Sequence, residues 1–153
     1  MAGSTVGGER KGMKAWANAF QTRFSNPVVR AILGSRFHGM VSETILDLEY
    51  TGHRSGLRRR LPVMYARRGE ELVVVAGWPE VKRWWRNFGP APQRVAVLLR
   101  GRRLEGDAVR LEAGTDAHVA ALSAYRARHP KMDLADDVPV LSLTGLVSAD
   151  DAR

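Results

Sequence analysis

The chain has 153 residues, no cysteine, and a formal net charge of +8 at pH 7 with an isoelectric point near 10.7. Its length predicts a single domain, and the lack of cysteine excludes disulfides, thiolate catalysis and cysteine-based zinc or iron–sulfur sites. No apolar run approaches the roughly 18 residues of a membrane span, and no signal-peptide pattern begins the chain, so we expect a cytoplasmic protein. The positive charge favours an anionic partner: nucleic acid, an acidic membrane surface, or a phosphorylated or polycarboxylate small molecule.

The N-terminal segment predicts a tail followed by two helices. We expect residues 1–12 to form a mobile tail in front of a single domain over residues 13–153. Apolar side chains recur at helical spacing over 13–24 and predict an amphipathic helix. That helix either packs on the domain or lies on a membrane surface. Asn26 as N-cap and Pro27 at the first helical position predict a second, short helix.

Three strands follow in the middle of the chain. Apolar and polar residues alternate over 44–50 and 60–67, which is the period of a half-buried strand. The stretch 71–76 is continuously apolar after its first residue and predicts a central strand.

Val81, Trp84, Trp85 and Phe88 then lie at helical spacing and predict a helix. Neighbouring helical residues point about 100° apart. Trp84 and Trp85 therefore cannot both face the core, and we expect one of them to line a pocket or an interface.

The last third predicts a hairpin, a helix and a strand. The hairpin joins 94–99 to 103–111 about Gly101 and Arg102. The helix is capped by Thr115 or Asp116, carries Val119, Leu122 and Tyr125 on its apolar face, and ends at His129. The final strand covers 138–143. Since short antiparallel connections dominate, we predict an α+β fold with a small antiparallel barrel.

Sequence motifs of common catalytic sites are absent. No serine lies in G-x-S-x-G, no Walker loop or G-x-G-x-x-G is present, and no carboxylates are paired for acid–base work. The four histidines lack metal-ligand spacing, so we interpret them as surface or capping residues and expect no metal (His38, His53, His118, His129). If the protein is an enzyme, a cofactor carries its chemistry.

A basic turn separates the first two predicted strands. Four arginines fall within seven residues there, from Arg54 to Arg60, and they repel one another unless an anion binds. Backbone N–H groups around Gly52, Ser55 and Gly56 predict an anion-binding concavity, to which Arg54 and Arg59 add bidentate contacts. The alternative is a solvated charged hairpin.

These residues resemble a known family. The segment YTGHRSG at 50–56, with Arg59 and the LPV at 61–63, resembles the TTGRKSG-x-x-R-x-x-P-L signature of the deazaflavin (F420)-dependent nitroreductases and quinone reductases. The WWRNF at 84–88 resembles that family's W-Y-x-N-L helix. The similarity runs from about residue 44 to 111 and more faintly to 143.

The resemblance implies a split β-barrel of the FMN-binding type: a mostly antiparallel six-stranded barrel with flanking helices, usually a homodimer. It also implies an enzyme that transfers a hydride from reduced coenzyme F420 to a quinone, a nitroaromatic or a similar electrophilic acceptor. The coenzyme has a phospholactyl-oligoglutamate tail, an anion that suits the arginine turn. For the site, the resemblance implies a tail clamp, a ring site and two tryptophans that close the pocket (Arg54, Ser55, Gly56 and Arg59; Pro62, Val63, Met64, Ala76 and Gly77; Trp84 and Trp85).

The chain departs from the family pattern at four places. His53 replaces an arginine, the loop AGWPEVKR is shorter than usual, and Gly77 replaces a serine. The C-terminal helix is rich in tyrosine in the nitroreductase members, but here it has Tyr125 alone. During catalysis, Tyr125 or solvent would supply a proton.

Two other functions remain open at this point. The barrel would bind FMN or haem without turnover, or the basic residues and the tryptophan pair would bind nucleic acid. We expect no nucleic acid, because no recognition motif is present. A peripheral membrane contact through the predicted helix at 13–24 would serve a lipid quinone.

Overall fold

The computed structural model describes residues 44–151, so the predicted tail, both N-terminal helices and His38 lie outside the described residues. Six strands, one 3₁₀ helix and one α-helix follow in chain order: β1 Ile45–Thr51, β2 Arg58–Arg68, β3 Glu71–Val75, the 3₁₀ helix Trp84–Asn87, β4 Gln93–Leu99, β5 Arg102–Leu111, α1 Asp116–Arg128 and β6 Val140–Ser148. No helix within 44–151 is long and apolar enough to cross a membrane.

The six strands form a closed antiparallel barrel in the order β1-β2-β3-β6-β5-β4, with β1 bonded to both β2 and β4. Its interior is built by the predicted alternation, since Leu46, Leu48 and Tyr50 point inward. Asp47 and Glu49 point to the opposite face, where arginines pair with them. The α+β class and the antiparallel six-stranded split barrel are therefore confirmed.

The core has two parts, and β3 contributes to both. Leu72 and Val74 point into the barrel, whereas Val73 and Val75 pack against α1 on the outside. All four are buried. This two-sided burial explains why the sequence of β3 is continuously apolar.

The helix α1 covers one side of the barrel. Thr115 caps its first turn, and its Oγ1 accepts the His118 N–H at 3.3 Å. Leu122 and Tyr125 are buried as predicted, but Val119 is 56% exposed. His118 takes the buried position instead, since its Nε2–H donates to the Val138 carbonyl at 2.8 Å.

The helix predicted around Val81 to Phe88 is wrong. Only one 3₁₀ turn forms, and Phe88 is extended with φ −110° and ψ 139°. The preceding residues close a separate turn, in which the Trp78 carbonyl accepts the N–H of both Val81 and Lys82 at 3.0 Å. Phe88 is extended and still reaches the barrel core. The spacing of apolar residues alone cannot distinguish this arrangement from one face of a helix.

The β4–β5 turn also differs from the prediction by one residue. Leu99 pairs with Arg102, so the turn residues are Arg100 and Gly101. Both have positive φ, 51° and 74°. Two such residues give the turn whose twist matches that of paired antiparallel strands.

Candidate functional site

The barrel is split along one half of β2. This strand pairs with β1 from Arg58 to Met64, but with β3 only from Tyr65 to Arg68. The Tyr65 N–H donates to the Thr44 carbonyl beside β1. Backbone N–H groups alternate between the two sides of a strand, so the nitrogen of Pro62, three residues earlier, points away from β1. A proline costs no ladder bond on such an open edge.

A cavity of about 350 Å³ lies at this open half. Its walls come from the end of β1, the start of β2 and the segment before and within the 3₁₀ helix (Tyr50, Arg59, Arg60, Leu61, Val81, Lys82, Arg83, Trp84). Four of these eight residues are cationic and none is acidic. The cavity therefore combines a positive potential with aromatic and aliphatic walls.

Trp84 is anchored to the barrel core through a chain of aromatic rings. Its ring meets Phe88 edge-on at a centroid distance of 6.2 Å, and Phe88 packs on Tyr50 at 5.3 Å. Burial raises the pKa of the Tyr50 hydroxyl, and the nearby Arg59 guanidinium opposes that shift. Trp84 thus forms a wall of the cavity that is connected to the barrel core.

Trp85 points elsewhere, as the divergence of neighbouring residues predicts. Its Nε1–H donates to the Pro79 carbonyl at 3.1 Å. The guanidinium groups of Arg86 and Arg110 lie over its ring, at 5.4 and 5.1 Å from the centroid. Trp85 does not line the described cavity, so its predicted contact with the coenzyme ring stays a prediction that these contacts do not support.

The backbone of the basic turn is mostly engaged within the protein. Gly52 N–H donates to Leu57 O, and Gly56 N–H donates to Gly52 O, both at 2.9 Å. His53 N–H donates to Asn87 Oδ1 at 3.0 Å. These bonds do not support the predicted backbone concavity at Gly52 and Gly56, so the prediction of an anion site there depends on side chains.

Glycine and serine shape this turn. Gly56 has φ 66°, a conformation that favours glycine. A Cβ on Gly52 would lie 2.6 Å from Ser55 Oγ, and that Oγ accepts the Leu57 N–H at 3.2 Å. These residues fix the turn that carries Arg54.

The arginines of β2 divide between the two faces of the strand. Arg60 pairs with Asp47 at 3.1 Å, and Arg58 lies 3.7 Å from Glu49. A two-pronged contact from Arg103 to Glu49, at 3.0 and 3.1 Å, completes the network. The hydrogen bond from Arg103 lowers the pKa of Glu49, and the neighbouring arginine charges lower it further.

Arg54 and Arg59 differ from these paired arginines. None of the ion pairs among residues 44–151 includes either of them. Both side chains are exposed, and Arg59 lines the cavity. They are the arginines of the turn whose charge a ligand can use without breaking an ion pair.

Lys82 adds a cation that sequence reasoning missed. Its Nζ lies 5.1 Å from the centroid of the Trp78 ring, and burial lowers its pKa. Trp78 has φ 51°, a conformation that costs energy for a bulky residue and is often found at functional sites. The short loop thus holds Lys82 at the cavity.

None of the residues predicted to line the ring site is among the residues that line this cavity. Val63 points into the barrel, and Met64 packs in the second part of the core together with Leu134. Ala76 is buried and donates its N–H to the Pro139 carbonyl at 3.0 Å, and a Cβ on Gly77 would lie 4.0 Å from Leu134. Their coenzyme contacts, with that of Pro62, stay predictions.

Tyr125 is part of the core. Its ring is 1% exposed, its hydroxyl donates to Met132 Sδ at 3.8 Å, and burial raises its pKa. These contacts give it a packing role, and they do not support the predicted role in proton transfer.

Two of the histidines predicted to be surface or capping residues are buried, and the prediction is wrong for His118. His118 is fully buried and His129 is 7% exposed. Each imidazole donates Nε2–H to a backbone carbonyl, His118 to Val138 and His129 to Tyr65. His129 also caps the end of α1, as a capping residue should. No group of three or more His, Asp or Glu among residues 44–151 is placed to hold a metal ion.

Comparison with known proteins identifies the family of this chain. The family model of the F420H(2)-dependent quinone reductases matches residues 21–141. The chain belongs to this family. It is an oxidoreductase that uses coenzyme F420 as its cofactor, and the cavity lies within the matched residues.

Three solved structures are similar to this chain. A protein of unknown function from Agrobacterium tumefaciens is 19% identical with a TM-score of 0.50, covering 79% of this chain and 62% of its own. An F420-H2 dependent reductase (FDR-A) is 26% identical with a TM-score of 0.44, covering 66% of this chain and 94% of its own. A structure described as a domain-swapped dimer is 22% identical with a TM-score of 0.45, covering 71% and 94%. No curated protein matches the chain.

Proposed function

We propose that this F420-dependent oxidoreductase holds the anionic tail of the coenzyme between the arginine turn and the cavity, and that it reduces a quinone, a nitroaromatic or a similar electrophilic acceptor. The observation that carries the proposal is the cavity at the split of the barrel, which has four cationic lining residues and no acidic one. Family membership supplies the cofactor, and the residues of the cavity fit it.

The tail fits the charge of the site. Phosphate and carboxylate groups bind guanidinium through paired N–H···O bonds. Arg59 on the cavity wall and Arg54 on the exposed turn have no carboxylate partner among residues 44–151. Binding an anion there costs no existing ion pair, whereas Arg58 and Arg60 would have to leave Glu49 or Asp47.

The ring fits the apolar part of the same cavity. Leu61, Trp84 and Tyr50 give it aliphatic and aromatic walls. When bound, the coenzyme supplies a hydride to the acceptor. The protein contributes orientation of the two reactants and exclusion of water, which together account for a large part of the acceleration of such a transfer.

A reduced quinone or nitro oxygen also needs a proton, and Lys82 can supply it. Guanidinium groups hold their protons at all working pH values, so Arg59, Arg60 and Arg83 are excluded as acids. Lys82 Nζ can carry a proton at the cavity, and burial lowers its pKa below the ordinary value of a lysine, which makes it a stronger acid. We assign it the role that the sequence predicted for Tyr125.

Binding and turnover by the purified protein test the proposed function. Titration of the protein into oxidised coenzyme F420 should raise the fluorescence polarisation of the coenzyme. Mixing the complex of reduced coenzyme with a quinone should then regenerate the oxidised spectrum. A protein that leaves the polarisation unchanged, or that carries FMN or haem in its absorption spectrum as purified, contradicts the proposal.

We also infer a homodimer and a peripheral contact with membrane lipid, as the family resemblance and a lipid-soluble acceptor imply. The helix predicted at 13–24, which would make that contact, lies outside the described residues. Co-sedimentation of the full chain with anionic liposomes tests it, and a chain that stays in the supernatant contradicts it.

A further inference from the structure

One amide side chain connects the arginine turn to the wall of the cavity. Asn87 Oδ1 accepts the His53 N–H at 3.0 Å and also contacts His53 Nδ1 at 3.0 Å. Its Nδ2–H donates to the Trp84 carbonyl at 2.8 Å. An amide oxygen can only accept, so His53 Nδ1 carries a proton in this contact. The two connected segments are 34 residues apart in the chain.

Both segments need this support. The 3₁₀ helix is four residues long, and such short helices are poorly stabilised by their own hydrogen bonds. On the other side, His53 and Arg54 are exposed, and the bonds within the turn join its other residues (Gly52, Ser55, Gly56, Leu57). Asn87 is part-buried and satisfies both segments at once.

We propose that Asn87 is a positioning residue that couples the arginine turn to Trp84, so that an anion bound at the turn makes the Trp84 wall more rigid and the tail and ring of the coenzyme bind cooperatively. This inference rests on the proposed function. When one ligand makes a segment of a protein more rigid, a second ligand that also needs that segment to be rigid loses less conformational entropy on binding. Here the shared element is the His53–Asn87–Trp84 connection.

His53 supplies two of the three contacts in this connection. It stands where the family resemblance has an arginine, and it donates to Asn87 from both its backbone and its ring. Loss of the ring leaves the backbone bond, whereas loss of the Asn87 amide removes all three contacts. The effect of Asn87 substitution on coupling should therefore exceed that of His53 substitution.

Hydrogen exchange of the full chain with inorganic pyrophosphate tests the coupling without the coenzyme. In the wild type, saturating pyrophosphate should slow amide exchange at 84–88 several-fold. Asn87→Leu should lose that effect, and so should Asn87→Asp, which keeps the acceptor for His53 but not the donor to Trp84. Far-UV circular dichroism checks that both variants fold.

Gln93→Leu is the matched control. The side-chain amide of Gln93 also donates to a carbonyl near the turn, from Nε2–H to Thr51 O at 3.1 Å. Gln93 lies in β4, outside the 3₁₀ helix. This variant should retain the pyrophosphate effect.

Equal slowing of exchange in Asn87→Leu and the wild type overturns the inference, as does a wild type in which exchange of the 84–88 amides does not respond to pyrophosphate. Coenzyme binding measured in parallel separates the outcomes, because its absence in the wild type overturns the proposed function itself.

Discussion

At the scale of single residues, strand geometry gives neighbouring arginines different roles. Successive side chains on a strand point to opposite faces. Arg58 and Arg60 therefore reach Glu49 and Asp47, while Arg59 lies opposite Tyr50 in the ladder. Arg59 and Arg60 both line the cavity, but Arg60 is already in ion pairs, whereas Arg59 has none among residues 44–151. The sequence alone shows a run of like charges. Which arginine is available to a ligand depends on the face of β2 to which each side chain points.

The motif pointed to Arg54 and Arg59, but it could not point to Lys82. Lys82 reaches the cavity through a left-handed residue at Trp78, and no composition or spacing rule predicts that conformation for a tryptophan. Asn87 was visible in the sequence within WWRNF, but its bond to His53 depends on tertiary structure.

Lys82 gives a test of the proton source. Lys82→Arg keeps the positive charge but holds its proton, so kcat should fall by about 10²-fold or more while coenzyme affinity changes little. Wild-type kcat should also decrease at alkaline pH, as Lys82 loses its proton, and this limb should be missing in the variant. Stopped-flow measurement of coenzyme oxidation across pH gives both quantities. Full kcat in Lys82→Arg would contradict the role.

At the scale of elements, the largest error concerned the segment before Phe88. Apolar spacing of i, i+3, i+4 and i+7 predicted a helix, yet the chain forms the Trp78 turn, one 3₁₀ turn and an extended Phe88. The strands β1 to β5 begin and end within two residues of the predicted bounds, because alternation over several residues is compatible with few conformations besides a strand. The last strand, predicted over 138–143, runs instead from Val140 to Ser148. A short run with four large residues is compatible with more conformations, and tertiary packing decides among them.

The end of α1 gives a test by pH. Burial lowers the pKa of His129 below its ordinary value, and its Nε2–H bond to Tyr65 O and the charge of Arg128 are smaller influences. The unfolded chain then binds more protons than the folded one as pH falls below about 6.5, so the free energy of unfolding should decrease there. Above that pH the contribution is fully present.

Urea unfolding of the wild type and His129→Gln between pH 5 and pH 8 measures this contribution. The glutamine amide can still donate to Tyr65 O but does not titrate. The wild type should lose more stability than the variant on acidification. Parallel pH profiles for the two proteins would show that His129 does not carry the effect.

At the scale of the whole molecule, barrel closure and function are connected. Closure pairs the edges of the sheet, with β1 bonded to β4 and β3 bonded to β6, and the half of β2 without a β3 partner is where the cavity lies. The barrel and its strand count followed from alternation and from the family resemblance. The position of the split along β2 did not, because it depends on where β2 leaves β3, and sequence boundaries cannot place that point.

A homodimer is the expectation for the whole protein. Light scattering of the eluted full chain should give a mass of twice 16.9 kDa. A mass of 16.9 kDa at the concentrations used for turnover would contradict it.

Binding of the coenzyme tail by Arg54 and Arg59 is tested most directly by the affinities for two ligands. One is coenzyme F420, and the other is the same deazaflavin without its phosphate and glutamate tail. Each charged hydrogen bond contributes about 1.5–3 kcal/mol, and about 1.4 kcal/mol corresponds to tenfold in affinity.

The double variant Arg54→Ala/Arg59→Ala should therefore bind the coenzyme at least about tenfold more weakly and bind the tail-less compound as the wild type does. Arg67→Ala, an exposed arginine near the other end of β2, should bind both as the wild type does. Wild-type affinity for the coenzyme in the double variant, or an equal loss for both ligands, would contradict the assignment of the tail to these two arginines.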